Sequence, residues 1–362
     1  MGKQEGEIGS GWARLMASLA RAEEQICLRT AADPAAQAEG CRFVWRVFSA
    51  MREFILEQDP RLPSFVPVMT PTRKFFADNP DTLYHRAPLH GDISYRVTGQ
   101  RGGCAYLSFC AYGQSAGGIE ILGTLSDQDL STDADGRFEI VISAERPDDA
   151  PNWIGIREGA RSLVARQYFI DRETESQASY SIGLTETRHS PSGGELDPQE
   201  FARRLLVCGQ SLERAVGTTL RATDGWSKEP NIISFDSDAG ELADLFPTPD
   251  NHYVGGWFQL GADEALVIEL SPPDCRYWNL HLMSRWLESL DGRGNPVSLN
   301  LAQATPGDGD GQVRFIISAT DPGKPNWLDT GGRREGCFAL RWLQATSPPE
   351  RPACHLVKLA AL

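Results

Sequence analysis

An internal repeat constrains the fold of this chain more than any other feature of its sequence. Short strings recur in the same order in both halves, and the offset between them drifts by only a few residues. The matching strings are PDTLY at 80–84 with PDNHY at 249–253, PNWI at 151–154 with PNWL at 325–328, and REG at 157–159 with REG at 334–336. A period of this length is typical of a duplicated domain and not of a solenoid. We therefore predict that residues 79–185 and 248–360 are two copies of one module.

Each copy is rich in strand and turn signals. Short runs of alternating apolar residues are separated by turns, and the chain contains 35 glycines and 23 prolines, which favour turns over long helices. About eight short strand candidates in each copy are typical of an antiparallel sandwich. The predicted fold is therefore mainly β, with two tandem, duplicated, jelly-roll-like antiparallel β-sandwich domains.

Helical patterns lie before the first copy and between the two copies. In the N-terminal region, apolar residues recur at helical spacing, Asp33 and Pro34 begin a second helix, and Pro60 ends it. Between the copies, Asp197 and Glu200 stand at capping-box spacing. We predict an N-terminal helical segment at 1–60, a first sandwich at 61–190, a connecting helix at 191–225 after a Ser/Gly-rich linker, and a second sandwich at 226–362.

The net charge and the cysteine content limit the kinds of partner that the protein can bind and indicate its cellular compartment. Asp and Glu total 49 against 35 Lys and Arg, which gives a net charge of −14. An acidic chain of this kind is a poor ligand for nucleic acid and for anionic membranes. The sequence has no secretory signal pattern and no apolar run of the ~20 residues that cross a bilayer. Its eight cysteines form no C-x-x-C pair, so we predict reduced thiols in a cytoplasmic protein.

Motifs for metals and nucleotide cofactors are missing from the sequence. The six histidines form no H-x-H or H-E-x-x-H motif. The sequence also lacks a G-x-G-x-x-G turn between a strand and a helix, a Walker A string and a G-x-S-x-G elbow. We therefore predict that the protein uses neither a metal nor a cofactor.

Four strings in the second copy resemble a known family. They are DNHY at 250–253, YWNL at 277–280, RWLESLD at 285–291 and PNWLDTGGRREG at 325–336. They are similar to the bacterial family called domain of unknown function 1214. The resemblance is clear over the final third of the chain and weaker over the first copy, where Gly155 replaces Asp329. It implies a β-sandwich fold, often in two-domain bacterial proteins, and no chemistry.

The predicted strand at 277–285 is the first candidate site. Alternation places Trp278, Leu280 and Leu282 on a core face. The opposite face then carries polar groups that could bind a ligand or move a proton: Tyr277, Asn279, His281 and Arg285, with Trp286 and Glu288 just beyond. His281 and Glu288 would form an acid–base pair if they meet. The alternative is a solvated sheet face.

The loop at 326–336 is the second candidate site. Arg333 could bind a carboxylate or phosphate, and Asp329 could orient a water molecule. The alternative is a structural corner in which Trp327 fills the core and arginine pairs with glutamate. Asp329 is the stronger functional candidate, because only the second copy contains it. Aromatic residues of this copy could line a pocket for a sugar or a flat apolar ligand.

Three functions are compatible with these features. The first is a cofactor-independent bacterial enzyme, a hydrolase or lyase that uses acid–base chemistry on a small organic, anionic or sugar-derived substrate. Its predicted catalytic residues are His281, Glu288 and Asp329, and its predicted substrate-binding residues are Arg285, Arg333, Trp257, Tyr253 and Trp286. The second is a non-catalytic protein that binds a small molecule or carbohydrate. The third is a structural protein, because duplicated jelly rolls can tile into homo-oligomers.

Overall fold

A computed structural model describes residues 7–115, 118–186, 196–238, 245–307 and 311–362. The Ser/Gly-rich stretch at 190–194, which we predict to be a linker, lies outside the described residues. Contacts divide the chain into two compact units. The first contains Met1–Lys74, Leu83–Tyr168 and Glu175–Thr218. The second contains Thr219–Leu362 together with two short segments from earlier in the chain, Phe75–Thr82 and Phe169–Thr174.

Two helices precede the strands, as their apolar spacing predicts. These are α1 (Glu7–Thr30) and α2 (Pro34–Met51), and a π-helical turn, Arg52–Glu57, follows α2. The carboxylate of Asp33 caps α2 by accepting hydrogen bonds from the backbone N–H groups of Ala35 and Ala36, each at 3.0 Å. The buried stripe of α2 includes Phe43, Val44 and Val47.

In the residues that the structure describes, the first copy has nine strands in two sheets. They are β1 (Val66–Pro67), β2 (Thr82–Pro88), β3 (Tyr95–Gln100), β4 (Tyr106–Ser115), β5 (Gly118–Ser126), β6 (Arg137–Ser143), β7 (Trp153–Gly155), β8 (Ala160–Tyr168) and β9 (Ser179–Leu184). One sheet has the order β1-β2-β8-β4-β5 and the other has the order β7-β6-β3-β9. Strands β6 and β7 are parallel.

The second copy repeats this order after the connecting helix α3 (Pro198–Trp226). Its strands are β10 (Phe235–Asp238), β11 (Asn251–Gln259), β12 (Glu264–Leu270), β13 (Tyr277–Met283), β14 (Ser298–Asn300), β15 (Val313–Ser318), β16 (Trp327–Asp329), β17 (Glu335–Leu343) and β18 (Ala353–Lys358). The sheets are β10-β11-β17-β13-β14 and β16-β15-β12-β18. Even the parallel pair recurs, as β15 and β16. The predicted duplication, the N-terminal helices and the connecting helix are confirmed.

Both sheets of the second copy contribute to one apolar core. On β13, Trp278, Leu280 and Leu282 point into this core, as the alternation predicts. The ring of Trp278 meets Phe315 of β15 edge to face, with 6.0 Å between centroids. Because β13 and β15 belong to different sheets, this contact closes a sandwich. Among the described residues, no helix combines the length and the apolar character needed to cross a bilayer.

Candidate functional site

The face of β13 that points away from the core carries a buried polar cluster. Tyr277, Asn279 and His281 alternate with the core residues on this strand, and all three are 0% exposed. The alternative prediction of a solvated sheet face is therefore wrong. The residues are buried because the segment Phe75–Thr82 contacts this face, as the hydrogen bonds of its polar side chains show.

Amide side chains join the covering segment to the strand. Asn79 donates from Nδ2 to the Tyr277 hydroxyl at 3.1 Å. Asn279 donates from Nδ2 to Asn79 Oδ1 at 2.9 Å and to Ser298 Oγ of β14 at 3.3 Å. The contacts of Asn79 fix the segment against β13, and the contact with Ser298 links β13 to β14.

Asp81 places a carboxyl group at the edge of this cluster. Its Oδ2 accepts a hydrogen bond from the Tyr277 hydroxyl at 2.7 Å and another from Asn300 Nδ2 at 3.1 Å. Asn300 also donates to the carbonyl oxygen of Ile170, at 2.9 Å. Tyr277 and Asn300 are fully buried and Asp81 is half-buried. Asp81 is therefore the group of this trio that keeps access to solvent.

Burial sets the protonation behaviour of this trio. It raises the pKa of Asp81, while the hydrogen bonds from Tyr277 and Asn300 and the nearby charges of Arg172 and Arg341 act in the opposite direction. Burial also raises the pKa of Tyr277 well above its usual value, and the adjacent Asp81 carboxylate raises it further. Tyr277 is therefore a neutral hydrogen-bond donor at ordinary pH, and Asp81 is the group of the pair that can exchange a proton.

The covering segment begins with strained backbone. Phe76 and Ala77 have positive φ angles of 55° and 56°, which cost non-glycine residues about 1–3 kcal/mol each. Two hydrogen bonds hold Ala77: its N–H donates to the Leu287 carbonyl at 2.9 Å, and its carbonyl accepts from Arg341 Nη2 at 3.1 Å. Asp78 then accepts hydrogen bonds from the N–H and the hydroxyl of Ser289, at 2.8 and 2.6 Å.

Of the predicted catalytic residues, His281 lies within this cluster. It pairs in register with Ala339 of β17 and Ser298 of β14. Glu288 is buried in the turn after β13, where its carbonyl accepts a hydrogen bond from Ser284 N–H at 2.8 Å. Asp329 lies on β16, in the opposite sheet, and its Oδ1 accepts a hydrogen bond from Gly331 N–H at 2.7 Å. The structure thus places Asp329 in a turn-stabilising contact on a different sheet from His281.

Three of the predicted binding residues meet each other. The Arg285 guanidinium lies 5.7 Å from the ring centroid of Trp257 and 5.4 Å from that of Trp286. Its Nη1 donates to Glu335 Oε1 at 3.0 Å. Both tryptophans are buried. The guanidinium therefore has an anionic partner and two aromatic partners inside the fold.

The other two predicted binding residues, Tyr253 and Arg333, make different contacts. The Tyr253 hydroxyl accepts hydrogen bonds from Thr248 N–H and Asn251 Nδ2, both at 2.9 Å, and the Arg341 guanidinium lies 5.7 Å from its ring centroid. Arg333 lies in the turn after β16, and its N–H donates to the Thr330 carbonyl at 3.3 Å.

The Pro-Asp turn at 80–84 recurs in the second copy, which indicates shared architecture and gives no sign of the polar side chains around it. A usable signal was present, because Asp78 and Asn79 stand where the second copy has Pro247 and Thr248. Residues specific to one copy are better functional candidates than shared ones. The copy-specific residues missed in this way are Asp78, Asn79 and Asn300. Asp81 and Arg341 have the equivalents Asp250 and Arg166 in the other copy, so this signal does not find them. In the part of the chain that the structure describes, no group of three or more His, Cys, Asp or Glu side chains could hold a metal ion.

Comparisons with known proteins support the fold and assign no chemistry. A family model described as "Protein of unknown function (DUF1214)" matches residues 81–170. This match lies in the first copy, whereas the four strings that carry the resemblance lie in the second. The comparison with curated proteins gives no match.

Two solved bacterial structures are similar to the chain. One, from an uncharacterised protein of Burkholderia cenocepacia, is 36% identical, covers 98% of each chain and has a TM-score of 0.91. The other, the VPA0106 protein of Vibrio parahaemolyticus, is 13% identical and covers 87% of this chain and 97% of its own, with a TM-score of 0.50. The second likeness concerns the fold alone.

Proposed function

The chain belongs to the DUF1214 family, whose description assigns no chemistry, and from its own side chains we propose that its second unit is a cofactor-independent enzyme. The proposed reaction is acid–base chemistry on a small anionic organic molecule. If Asp81 removes a proton from the substrate, the reaction is lyase chemistry. If Asp81 protonates the leaving group of the substrate, the reaction is hydrolase chemistry. The observation that carries this proposal is the half-buried Asp81 carboxyl held by the buried phenol of Tyr277.

The geometry around Asp81 suits proton transfer. Both hydrogen bonds described for its carboxyl end on Oδ2, so we assign Oδ1 to the substrate. Burial raises the pKa of Asp81, which moves it toward the range where a group can both take up and release a proton near neutral pH. Tyr277 and Asn300 are positioning residues, because they hold the carboxyl and contact no substrate in this scheme.

The surroundings favour an anionic substrate. Arg172 and Arg341 both act electrostatically on Asp81, and Arg172 is exposed. A positive potential at the carboxyl attracts a negatively charged molecule and stabilises negative charge that develops during the reaction. The proposed acid–base centre is therefore Asp81 with Tyr277. It takes the place of the pair His281 and Glu288, which the sequence predicts.

Asp81→Asn tests the proposal, and Asp250→Asn is its matched control. Asp250 occupies the equivalent turn of the second copy, where Gln344 N–H donates to its carbonyl at 2.8 Å. Pools of small carboxylates, phosphate esters and lactones are incubated with the protein, and loss of each compound is followed by proton NMR. We expect turnover of at least one compound, lost about 10²–10⁴-fold in Asp81→Asn and unchanged in Asp250→Asn.

A second variant separates proton transfer from positioning. Tyr277→Phe removes the donor to Asp81 Oδ2 and keeps the carboxyl, so we expect a smaller loss of turnover and a shift of the acid limb of the pH profile to higher pH. No turnover across the panel, or full activity in folded Asp81→Asn, would contradict the proposal.

We also propose a cytoplasmic location. None of the eight cysteines forms a disulfide, which suits a reducing compartment. Fractionation of bacterial cells that express the full chain measures this directly, and recovery in the periplasmic fraction would contradict it.

A further inference from the structure

An open groove of about 940 Å³ lies on the sheet β7-β6-β3-β9 of the first unit. The groove is lined by the three adjacent strands β3, β6 and β9 and by the loops at 131–133 and 151–152. The side chains that matter below are Thr98, Gln100, Glu139, Asn152, Ser179 and Ser181.

Neutral hydroxyl and amide side chains line the groove along β3 and β9. Thr98 and Ser181 lie opposite each other on β3 and β9, with 3.3 Å between their hydroxyl oxygens. Gln100 and Ser179 are the next such pair in register. Hydroxyl and amide groups both donate and accept hydrogen bonds. A row of such groups can therefore bind a ligand that itself carries closely spaced hydrogen-bond donors and acceptors.

The charges at the groove already have partners within the first unit. Arg137 pairs with Asp135 at 3.1 Å, and Glu139 pairs with Arg96 at 3.4 Å. Asp133 accepts hydrogen bonds from the N–H groups of Asp135 and Arg137, at 2.9 and 2.8 Å. The groove therefore offers no concentrated charge of one sign, which favours a neutral ligand over an anion.

The walls of the groove are held rigidly. Asn152 accepts a hydrogen bond from Ser131 N–H at 2.8 Å and donates from Nδ2 to the carbonyls of Ser131 and Glu139, at 2.9 and 2.8 Å. At the floor, a Cβ on Gly99 would lie 2.4 Å from the Ser179 carbonyl oxygen and 2.7 Å from the ring of Phe138, so only glycine permits this close packing. Preformed walls are typical of ligand sites.

The second copy keeps the wall, because Asn326 makes the same three hydrogen bonds as Asn152, but it lacks the hydroxyl row at the same positions. In the first copy, Thr98 stands opposite Glu139 and Ser181 on the neighbouring strands. In the second copy, the equivalent residue Glu269 stands opposite Arg314 and Ala353. There, Arg314 forms an ion pair with Glu269 at 3.5 Å. The hydroxyl row is therefore not required by the sandwich fold.

We propose that this groove binds a neutral polyhydroxylated ligand, namely a segment of an oligosaccharide. Sugar hydroxyls replace water on Thr98, Gln100, Ser179 and Ser181, and the rigid walls select the shape of the chain. This site is separate from the acid–base centre proposed for the second unit and does not depend on it.

Isothermal titration of the full chain tests the proposal with defined probes. The probes are the neutral hexasaccharides of cellulose, amylose and xylan, with an oligogalacturonate of the same length as the anionic comparison. We expect at least one neutral probe to bind with a Kd of about 1 mM or tighter. In the double variant Thr98→Val/Ser181→Ala, which removes two hydroxyls near the surface, we expect affinity to fall about tenfold or more.

Thr98→Ser is the matched control, because it keeps the hydroxyl, and it should bind as the wild type does. Circular dichroism checks that every variant is folded. The proposal is overturned if no neutral probe binds, if only the oligogalacturonate binds, or if Thr98→Val/Ser181→Ala binds as tightly as the wild type.

Discussion

The strands β4 and β13 occupy the same place in the two copies and differ in what they bury. Each is the fourth strand of its five-stranded sheet, and Tyr106 of β4 corresponds to Tyr277 of β13. Beyond the tyrosine, the faces diverge: Ser108 and Cys110 stand where the second copy has Asn279 and His281. One scaffold therefore carries a serine and a cysteine on this face in the first copy, and an amide and a histidine in the second.

A buried arginine is common to both copies. Arg166 and Arg341 occupy equivalent positions on β8 and β17, and they are 2% and 3% exposed. Each guanidinium lies over a tyrosine ring of its own unit, Tyr112 at 5.6 Å and Tyr253 at 5.7 Å. Because the arginine survives on both faces, we assign it to the scaffold. The amides, which occur on one face only, are the groups that hold the segment bearing Asp81.

Asn279→Ser gives the second copy the residue of the first and should have the largest effect on stability. Serine is too short to reach Asn79 Oδ1, so this buried oxygen loses a donor that now lies at 2.9 Å. We expect the free energy of unfolding to fall by about 1–3 kcal/mol. Urea unfolding followed by tryptophan fluorescence measures it.

Ser108→Ala is the matched change in the first copy. The Ser108 hydroxyl is buried and, among the described residues, has no hydrogen-bond partner. Its removal should leave the free energy of unfolding unchanged or raise it slightly. Equal losses in Ser108→Ala and Asn279→Ser would refute the distinction between the two faces.

The sequence was sufficient to predict the fold class because the repeat imposes strong limits. Strings such as PNW and REG fix equivalent points in both copies, and alternation on β13 separates Leu280 of the core from Asn279 of the opposite face. Register, once set, determines which residues share a face. The duplication and the polar face were therefore both readable from local patterns.

The covering of that face could not be predicted from local patterns. Asn79 and Tyr277 are 198 positions apart in the chain, and neither periodicity nor turn chemistry links segments so distant. The turn at Asp81 also has a local explanation, because aspartate in a turn usually bonds its own backbone. The Asp81 carboxyl instead accepts hydrogen bonds from Tyr277 and Asn300, which only the tertiary fold brings close to it.

The pH dependence of stability sharpens the assignment of Asp81. Burial raises the pKa of Asp81 in the folded state, so the folded protein binds this proton more tightly than the unfolded chain does. Its stabilising contribution is complete below the unfolded pKa of about 3.9 and is lost as pH rises through the folded pKa. We expect the stability of the wild type relative to Asp81→Asn to fall as pH rises from the unfolded pKa of about 3.9 through the folded pKa. Thermal unfolding at matched pH values measures this difference, and a difference that stays constant or grows would be incompatible with a raised pKa.

Ala77→Gly should have a small effect on stability, and its sign is informative. Ala77 and its equivalent in the second copy, Phe246, both have left-handed backbone, with φ of 56° and 54°, so this conformation belongs to the shared scaffold. Glycine removes strain of roughly 1–2 kcal/mol and loses about 0.5–1 kcal/mol through the freer unfolded chain. We therefore expect the free energy of unfolding to rise by about 0.5 kcal/mol, with turnover unchanged because Asp78 still binds Ser289.

Ala87→Gly in β2 is the control: Ala87 is buried in a strand, where glycine costs about 0.5–1 kcal/mol. If both glycine variants destabilise the protein equally, the conformation at Ala77 stores no strain, and the segment is held against β13 by its hydrogen bonds alone.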